Sequence, residues 1–164
     1  MKSVCLLLCL AIPALARAQS AQTVNQPAAV QVAGSFFALS VPDVETSSKW
    51  YADKLGLKVA MQMAKSKDGP AVRILVGGGL IVELIEVEKA VPLSKAAPAI
   101  SATELVHGIF KAGVIVDDLD QVIALLKARD VAIFLGPFPA RENSMRNLII
   151  RDNDGNLIQF FGRK

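Results

Sequence analysis

The chain writes one hydrophobic pattern twice. Val72–Glu88 and Asn147–Phe161 each carry an apolar run, a Gly-containing turn (Gly77-Gly78-Gly79, then Asp152-Asn153-Asp154-Gly155) and a second apolar run. Two apolar runs joined by a short glycine turn read as a β-hairpin. In each returning strand a polar side chain stands four residues past the last turn glycine: Glu83 after Gly79, Gln159 after Gly155, 76 residues apart. Side chains alternate between faces along a strand. If Val82, Leu84, Ile158 and Phe160 face a helix-covered core, Glu83 and Gln159 therefore face the other way.

The repeat extends upstream. Phe36–Glu45 lies over Lys111–Asp120 with an offset of 75, so that Val41 matches Val116 and Asp43 matches Asp118. A period this long, seen twice, indicates a duplicated module rather than a solenoid. In the first copy, Phe36–Val41 predicts a strand ended by Pro42-Asp43. Asp43 or Thr46 caps a helix through Leu55, with Ser47, Tyr51 and Leu55 on its inner face and Gly56 just past its end. Leu57–Met63 alternates as a half-solvated strand, and Ala71–Val76 and Leu80–Val87 follow. In the second copy, His107–Val116 predicts a strand, and Asp118 with Gln121 opens a helix ending near Arg129, striped by Leu119, Val122, Leu125 and Leu126. Val131–Leu135 and the hairpin Met145–Phe161 complete it. Each unit is βαβββ. The fold class is α+β, with paired βαβββ modules whose helices cover the outside and whose sheets face each other or wrap around a common cleft. Glu83, Gln159 and the equivalent first-strand positions Phe36 and Lys111 would line it.

The flanks divide the chain. Residues 1–18 (MKSVCLLLCLAIPALARA) combine a basic Lys2, an apolar run from Val4 to Ile12 and Ala16-Arg17-Ala18, the pattern of a cleaved signal peptide. The apolar run is about half the length a membrane span needs, roughly 20 residues. Residues 19–33 are small, polar and uncharged and read as a flexible leader; 34–164 form the folded domain, with module one at about 34–90, a linker at 91–104 bearing Pro92 and Pro98, and module two at about 105–164. The expectation is export, to a periplasm or the medium, with no membrane attachment after cleavage. Cys5 and Cys9 both fall in the signal segment, so the remaining 146 residues have neither thiol chemistry nor disulfides. Without Lys2 and Arg17 the balance is 16 basic against 15 acidic residues, which gives no electrostatic case for a nucleic-acid partner.

Four stretches together, FFALSVPDVETSSKWYADKLGL (36–57), LIVELIE (80–86), VIVDDLDQVIALLKARDV (114–131) and RDNDGNLIQFF (151–161), resemble the vicinal oxygen chelate superfamily of glyoxalase I, bleomycin-resistance proteins and extradiol dioxygenases. The resemblance covers roughly Gly34 to Gly162. It implies the paired βαβββ fold and, in catalytic members, a divalent metal held by one residue on each first strand, usually His, and one on each fourth strand, usually Glu. Carried onto this chain those positions are Phe36, Glu83, Lys111 and Gln159. Phe has no donor atom, Lys is a cation at neutral pH and the Gln amide is a weak neutral ligand, whereas a divalent ion needs about three carboxylate, imidazole or similar donors. No cofactor is therefore expected.

Three functional readings follow, the last a structural role in an exported complex with the cleft closed by side chains. In the first, an exported protein binds a small molecule between its modules through Phe36, Glu83, Lys111, Gln159 and His107, and Lys111 takes the place of the metal and pairs with Glu83. Lys111 and Glu83 are then also the candidate catalytic pair. In the second, a glyoxalase-type lyase, isomerase or dioxygenase holds a divalent metal through Glu83, Gln159, His107 and water. Whether the protein is an enzyme stays open, and the resemblance allows a homodimer. Trp50 and Tyr51 read as packing residues. Gly77-Gly78-Gly79 precedes a strand, not a helix, and so is no phosphate cradle.

Overall fold

The computed structural model describes residues 33–67, 69–100, 107–142 and 144–163. The expected signal peptide, residues 19–32 of the leader and linker positions 101–104 lie outside them.

Module one contains β1 (Phe37–Ser40), α1 (Val44–Trp50) continued by a π-helical turn (Tyr51–Leu55), β2 (Lys58–Met63), β3 (Ala71–Gly77) and β4 (Leu80–Glu86). A short helix α2 (Leu93–Ala96) follows, and module two contains β5 (Ala112–Val116), α3 (Leu119–Ala128), β6 (Ile133–Phe138), β7 (Arg146–Arg151) and β8 (Leu157–Gly162). The sheets run β1-β4-β3-β2 and β5-β8-β7-β6, with the first strand of each module parallel to the last and the other neighbours antiparallel. This is the α+β pairing of βαβββ modules expected from the repeat.

Both long helices begin on the same device. The Asp43 carboxylate accepts from Thr46 N at 2.6 Å, and Asp118 accepts from Gln121 N at 3.0 Å. Each satisfies a donor that the first helical turn leaves without a partner. Of the two expected caps for α1, Asp43 is the one used, and its hydrogen bond from Thr46 holds its pKa below the usual value. Glu86 at the end of β4 accepts from Val44 N at 3.1 Å, so a second carboxylate anchors the start of α1 to the sheet. Gly56 ends the helix with φ 76°, where a side chain would be strained.

The apolar alternation sets the core. Leu75, Val82 and Leu84 are fully covered on the face carrying α1, and Leu148, Ile150, Ile158 and Phe160 pack with Leu119 and Leu126 of α3. Each such burial contributes roughly 1.5–3 kcal/mol.

Three expected elements differ. The strand read as His107–Val116 starts only at Ala112, because its pairing with β8 begins at Ala112↔Ile158. The strand read as Val131–Leu135 is Ile133–Phe138, since the chain leaves α3 through Asp130 at φ 55°. The linker, read as irregular, holds the single turn of α2 after Pro92.

Candidate ligand-binding site

Glu83 and Gln159 sit at the centres of β4 and β8 on the faces away from the helices. In the first sheet Glu83 is flanked by Ala38 of β1 and Ile74 of β3; in the second, Gln159 is flanked by Gly113 of β5 and Ile149 of β7. The two sites are therefore equivalent positions of the duplicated module.

Phe36 and Lys111 precede β1 and β5 by one residue each and lie two residues before Ala38 and Gly113. Two residues are one side-chain repeat, about 6.6 Å along a strand. They share the parity of the site but are not its direct neighbours. Phe36 is 64% exposed. Lys111 is exposed too, and its ammonium lies 5.4 Å from the centre of the Phe110 ring. Among the described residues no ion pair includes Glu83 or Lys111, so the expected pairing of the two is not formed within one chain. His107 is exposed in a bend five residues before β5 starts, away from any strand position.

Gln159 is 5% exposed and is held by one contact, Nε2 donating to Asn147 Oδ1 at 2.8 Å. Asn147 in turn donates from Nδ2 to the Met145 carbonyl at 3.2 Å. Gln159 Oε1 is buried and has no hydrogen-bond partner among the described residues. A buried amide oxygen left in this state costs about 1–3 kcal/mol.

The same face is apolar and open around these polar centres. Met61, Met63 and Ile81 are exposed on the first sheet, and Ile115, Leu135 and Phe138 on the second. Two shallow grooves lie elsewhere. One of about 430 Å³ runs along the start of α3 from Val116 to Leu125, and one of about 310 Å³ lies between Trp50 and Asp130–Phe134, beside Arg151. The first is formed by one helix flank, and Arg151 caps the Phe134 ring at 4.0 Å in the second, so neither has buried polar groups converging on empty space.

A second polar cluster joins the modules. Asp152, in the last hairpin turn, accepts from Tyr51 OH at 2.9 Å, from Asn156 Nδ2 at 2.9 Å, and from the backbone N of Asp154 and Asn156 at 2.9 and 2.8 Å. Four donors meet both carboxylate oxygens, which is what keeps a buried charge tolerable. Ser47 Oγ donates to Asp154 at 2.7 Å and accepts from Asn153 at 3.0 Å. Burial first, and then the nearby Asp152 charge, raise the Tyr51 pKa far above its ordinary value. Lys54 Nζ donates to the Arg129 carbonyl at 2.6 Å while Arg129 donates to the Lys54 carbonyl at 3.2 Å, closing the helix ends on each other. These groups fix one module against the other and leave no free acid or base.

With this geometry in hand, comparison with known proteins identifies the family. The model of the Glyoxalase/Bleomycin resistance protein/Dioxygenase superfamily matches residues 34–160. The chain belongs to this superfamily. Solved structures share the fold at low identity. A glyoxalase family protein from Enterococcus faecalis is 16% identical, with TM-score 0.62, over 77% of this chain and 94% of that one. TnmS3, an antibiotic binding protein from Streptomyces sp. CB03234, is 19% identical with TM-score 0.59, over 84% and 100%. TioX from Micromonospora sp. ML1 is 19% identical with TM-score 0.58, over 81% and 100%. No curated protein matches the sequence.

Members of the superfamily usually bind a divalent metal, and the resemblance would place it at Phe36, Glu83, Lys111 and Gln159. The donors do not fit one. A single carboxylate stands among a phenyl ring, an ammonium and a neutral amide, and among the described residues no three His, Cys, Asp or Glu side chains converge. Sequence reasoning found Glu83 and Gln159 from the hairpin repeat. It missed Asn147 and Gly113, which the offset of 75–76 residues leaves unmarked, and it read the Asp152–Gly155 turn as a turn only.

Proposed function

We propose that this chain is an exported small-molecule-binding member of the superfamily that holds its ligand on the helix-free sheet faces, through Gln159, Glu83 and Lys111, without the usual catalytic metal. The observation that carries the reading is the state of Gln159: a buried amide in the middle of an apolar face, tied at one end and with no partner at the other among the described residues. Sites for small molecules have this composition, a mostly apolar surface with a few placed polar groups. The antibiotic binding protein among its structural relatives shares the fold and supports the binding class.

The reading includes a homodimer. Met61, Met63 and Ile81 on one sheet and Ile115, Leu135 and Phe138 on the other leave apolar area in water that a monomer rarely keeps exposed. Glu83 on the first face and Lys111 beside the second have opposite charge and no ion-pair partner among the described residues. Apposing the first sheet of one copy to the second sheet of another covers both faces and pairs those charges. The ligand then lies between Gln159 and Lys111 of one subunit and Glu83 of the partner subunit.

The export reading rests on residues 1–18, and mass analysis of protein recovered outside the cytoplasm should find a chain starting at Gln19. Among the described residues no helix is long and apolar enough to cross a membrane. The binding reading is tested with the purified protein and anilinonaphthalene sulfonate, an apolar anionic reporter. Saturable uptake at about one reporter per site is expected; its absence sinks the reading. Metal analysis of the same preparation decides the second reading: stoichiometric zinc, nickel, iron or manganese would favour a metal-dependent lyase, isomerase or dioxygenase.

A further inference from the structure

We infer that the groove between Trp50 and Phe134, where the two modules meet, is a second ligand site that takes a free aromatic amino acid. The carboxylate of the ligand lies on Arg151, its ammonium faces Asp130 and its ring covers the apolar wall between them. The inference is independent of the sheet-face reading above, since none of Phe36, Glu83, Lys111 or Gln159 lines this groove.

The groove has about 310 Å³ and is lined by Trp50 at the end of α1, Asp130 and Val131 after α3, Ile133 and Phe134 of β6, and Arg151 at the end of β7. That volume is at the small end of the range for small-molecule sites, roughly 300–1,000 Å³. The clasp between Lys54 and Arg129 draws the end of α1 to the end of α3 and so brings Trp50 beside the Asp130 turn. The pairing of Ile133 with Ile150 sets Phe134 next to Arg151.

Arg151 is held ready for a carboxylate. Its guanidinium carbon lies over the Phe134 ring, 4.0 Å from the centre, and Nη1 donates to the Gly155 carbonyl at 3.0 Å. The ring and the carbonyl restrict the orientation of the fork, yet only one of its five N–H groups is used in that bond. A carboxylate takes two parallel bonds from such a fork. Among the described residues no ion pair includes Arg151 or Asp130. The two opposite charges therefore line one groove without pairing, and a ligand that carries both a carboxylate and an ammonium bridges them. Trp50, Val131 and Ile133 are half-buried and Phe134 is 44% exposed, so the rest of the lining is apolar and largely aromatic. A ring on the ligand covers it, and aromatic neighbours favour another ring. Arg151 and Asp130 are both exposed, so the charges of a bound zwitterion stay in contact with water and escape the cost of burial.

Trp50 is the only tryptophan of the chain, so its fluorescence reads occupancy of the groove directly. The full protein is titrated with L-phenylalanine, with 3-phenylpropionate, which lacks the amine, and with phenethylamine, which lacks the carboxylate. L-Phenylalanine should change the Trp50 emission saturably. Phenethylamine should bind roughly tenfold more weakly, because it forfeits a bidentate charged contact. 3-Phenylpropionate should bind roughly threefold more weakly, because a single exposed ion pair is worth less. Arg151→Lys keeps the charge and loses the fork, and it should close most of the gap between L-phenylalanine and phenethylamine. Asp130→Asn, which suits the left-handed backbone at φ 55°, should bring L-phenylalanine to the level of 3-phenylpropionate. If Arg151→Lys does not fold, the three compounds on the wild type and on Asp130→Asn decide. Emission unchanged by L-phenylalanine, equal binding of the three compounds, or gaps that survive the two substitutions overturn the inference. Each of these results leaves the sheet-face reading standing, because the two sites share no residue.

Discussion

The Tyr51 hydroxyl donates to the buried Asp152 carboxylate at 2.9 Å, from the helix of module one to the last turn of module two. Tyr51 is completely covered and its ring meets Trp50 edge-on, with centroids 5.0 Å apart. Removing the hydroxyl takes one of four donors from Asp152 and leaves a charge under-solvated inside the protein. Tyr51→Phe is expected to lower stability by about 1–3 kcal/mol. Denaturant unfolding followed by Trp50 fluorescence measures it, and a loss within error of zero would mean that the turn can relax and rebind water.

The same hydrogen bond has a pH signature. The folded pKa of Tyr51 is raised, by burial first and by Asp152 second, while in the unfolded chain it is about 10. The native state therefore keeps its proton where the unfolded state loses it, and stability falls as pH rises. The contribution is whole below about pH 10 and drains away above it. Tyr51 is the only tyrosine in the chain, so tyrosinate absorbance reports it alone. Its ionisation should coincide with unfolding rather than precede it, and Tyr51→Phe should flatten the alkaline slope. Independent titration in the folded protein would show the phenol to be accessible.

Gly56 ties the two helix ends together. Its φ of 76° belongs to the left-handed region, and a Cβ there would approach Arg129 Nη1 at 3.2 Å, the same atom that bonds the Lys54 carbonyl. Gly56→Ala combines backbone strain with pressure on the Lys54–Arg129 clasp and should cost about 1–3 kcal/mol. Arg129→Lys removes the crowding. If strain alone acts, Gly56→Ala should cost the same in both backgrounds; a smaller cost in Arg129→Lys would assign the difference to the clasp.

The periodic part of the fold was legible because the two copies check each other. A run read as a strand in module one has to be a strand in module two, and the cap residues Asp43 and Asp118 mark the same point in each. Pairing partners were not legible to the same degree. His107–Lys111 looks like strand because Ile109 and Phe110 lead into the apolar run of β5, yet β8 offers its first partner at Ile158, opposite Ala112, and Ile109 is left 98% exposed. The first-strand site positions came from overlaying the two copies, whereas the register is set by contact with β4 and β8, and this makes the direct neighbours Ala38 and Gly113. Neither residue has chemistry of its own to attract notice. Gln159 was found as a polar break in an apolar strand; that its oxygen is orphaned depends on Asn147 and Met145, which nothing in the pattern links to it.

Glu83 and Lys111 supply the test of self-association. Each is without an ion-pair partner among the described residues, and each borders an apolar sheet face. In the proposed dimer they meet across the interface, twice by symmetry. Glu83→Lys places two cations together and Lys111→Glu two carboxylates; like charges at an interface cost enough that each variant should weaken the dimer by at least tenfold. The double variant restores opposite charges in the reversed order and should recover most of the loss. If each single variant folds as the wild type does, its thermal midpoint should depend less on protein concentration, because dissociation is no longer coupled to unfolding. Sedimentation across a range of concentrations reads all four proteins. A wild type that stays monomeric, or a double variant no better than the sum of the singles, would show that these two charges do not face each other and that the apolar faces are covered in some other way.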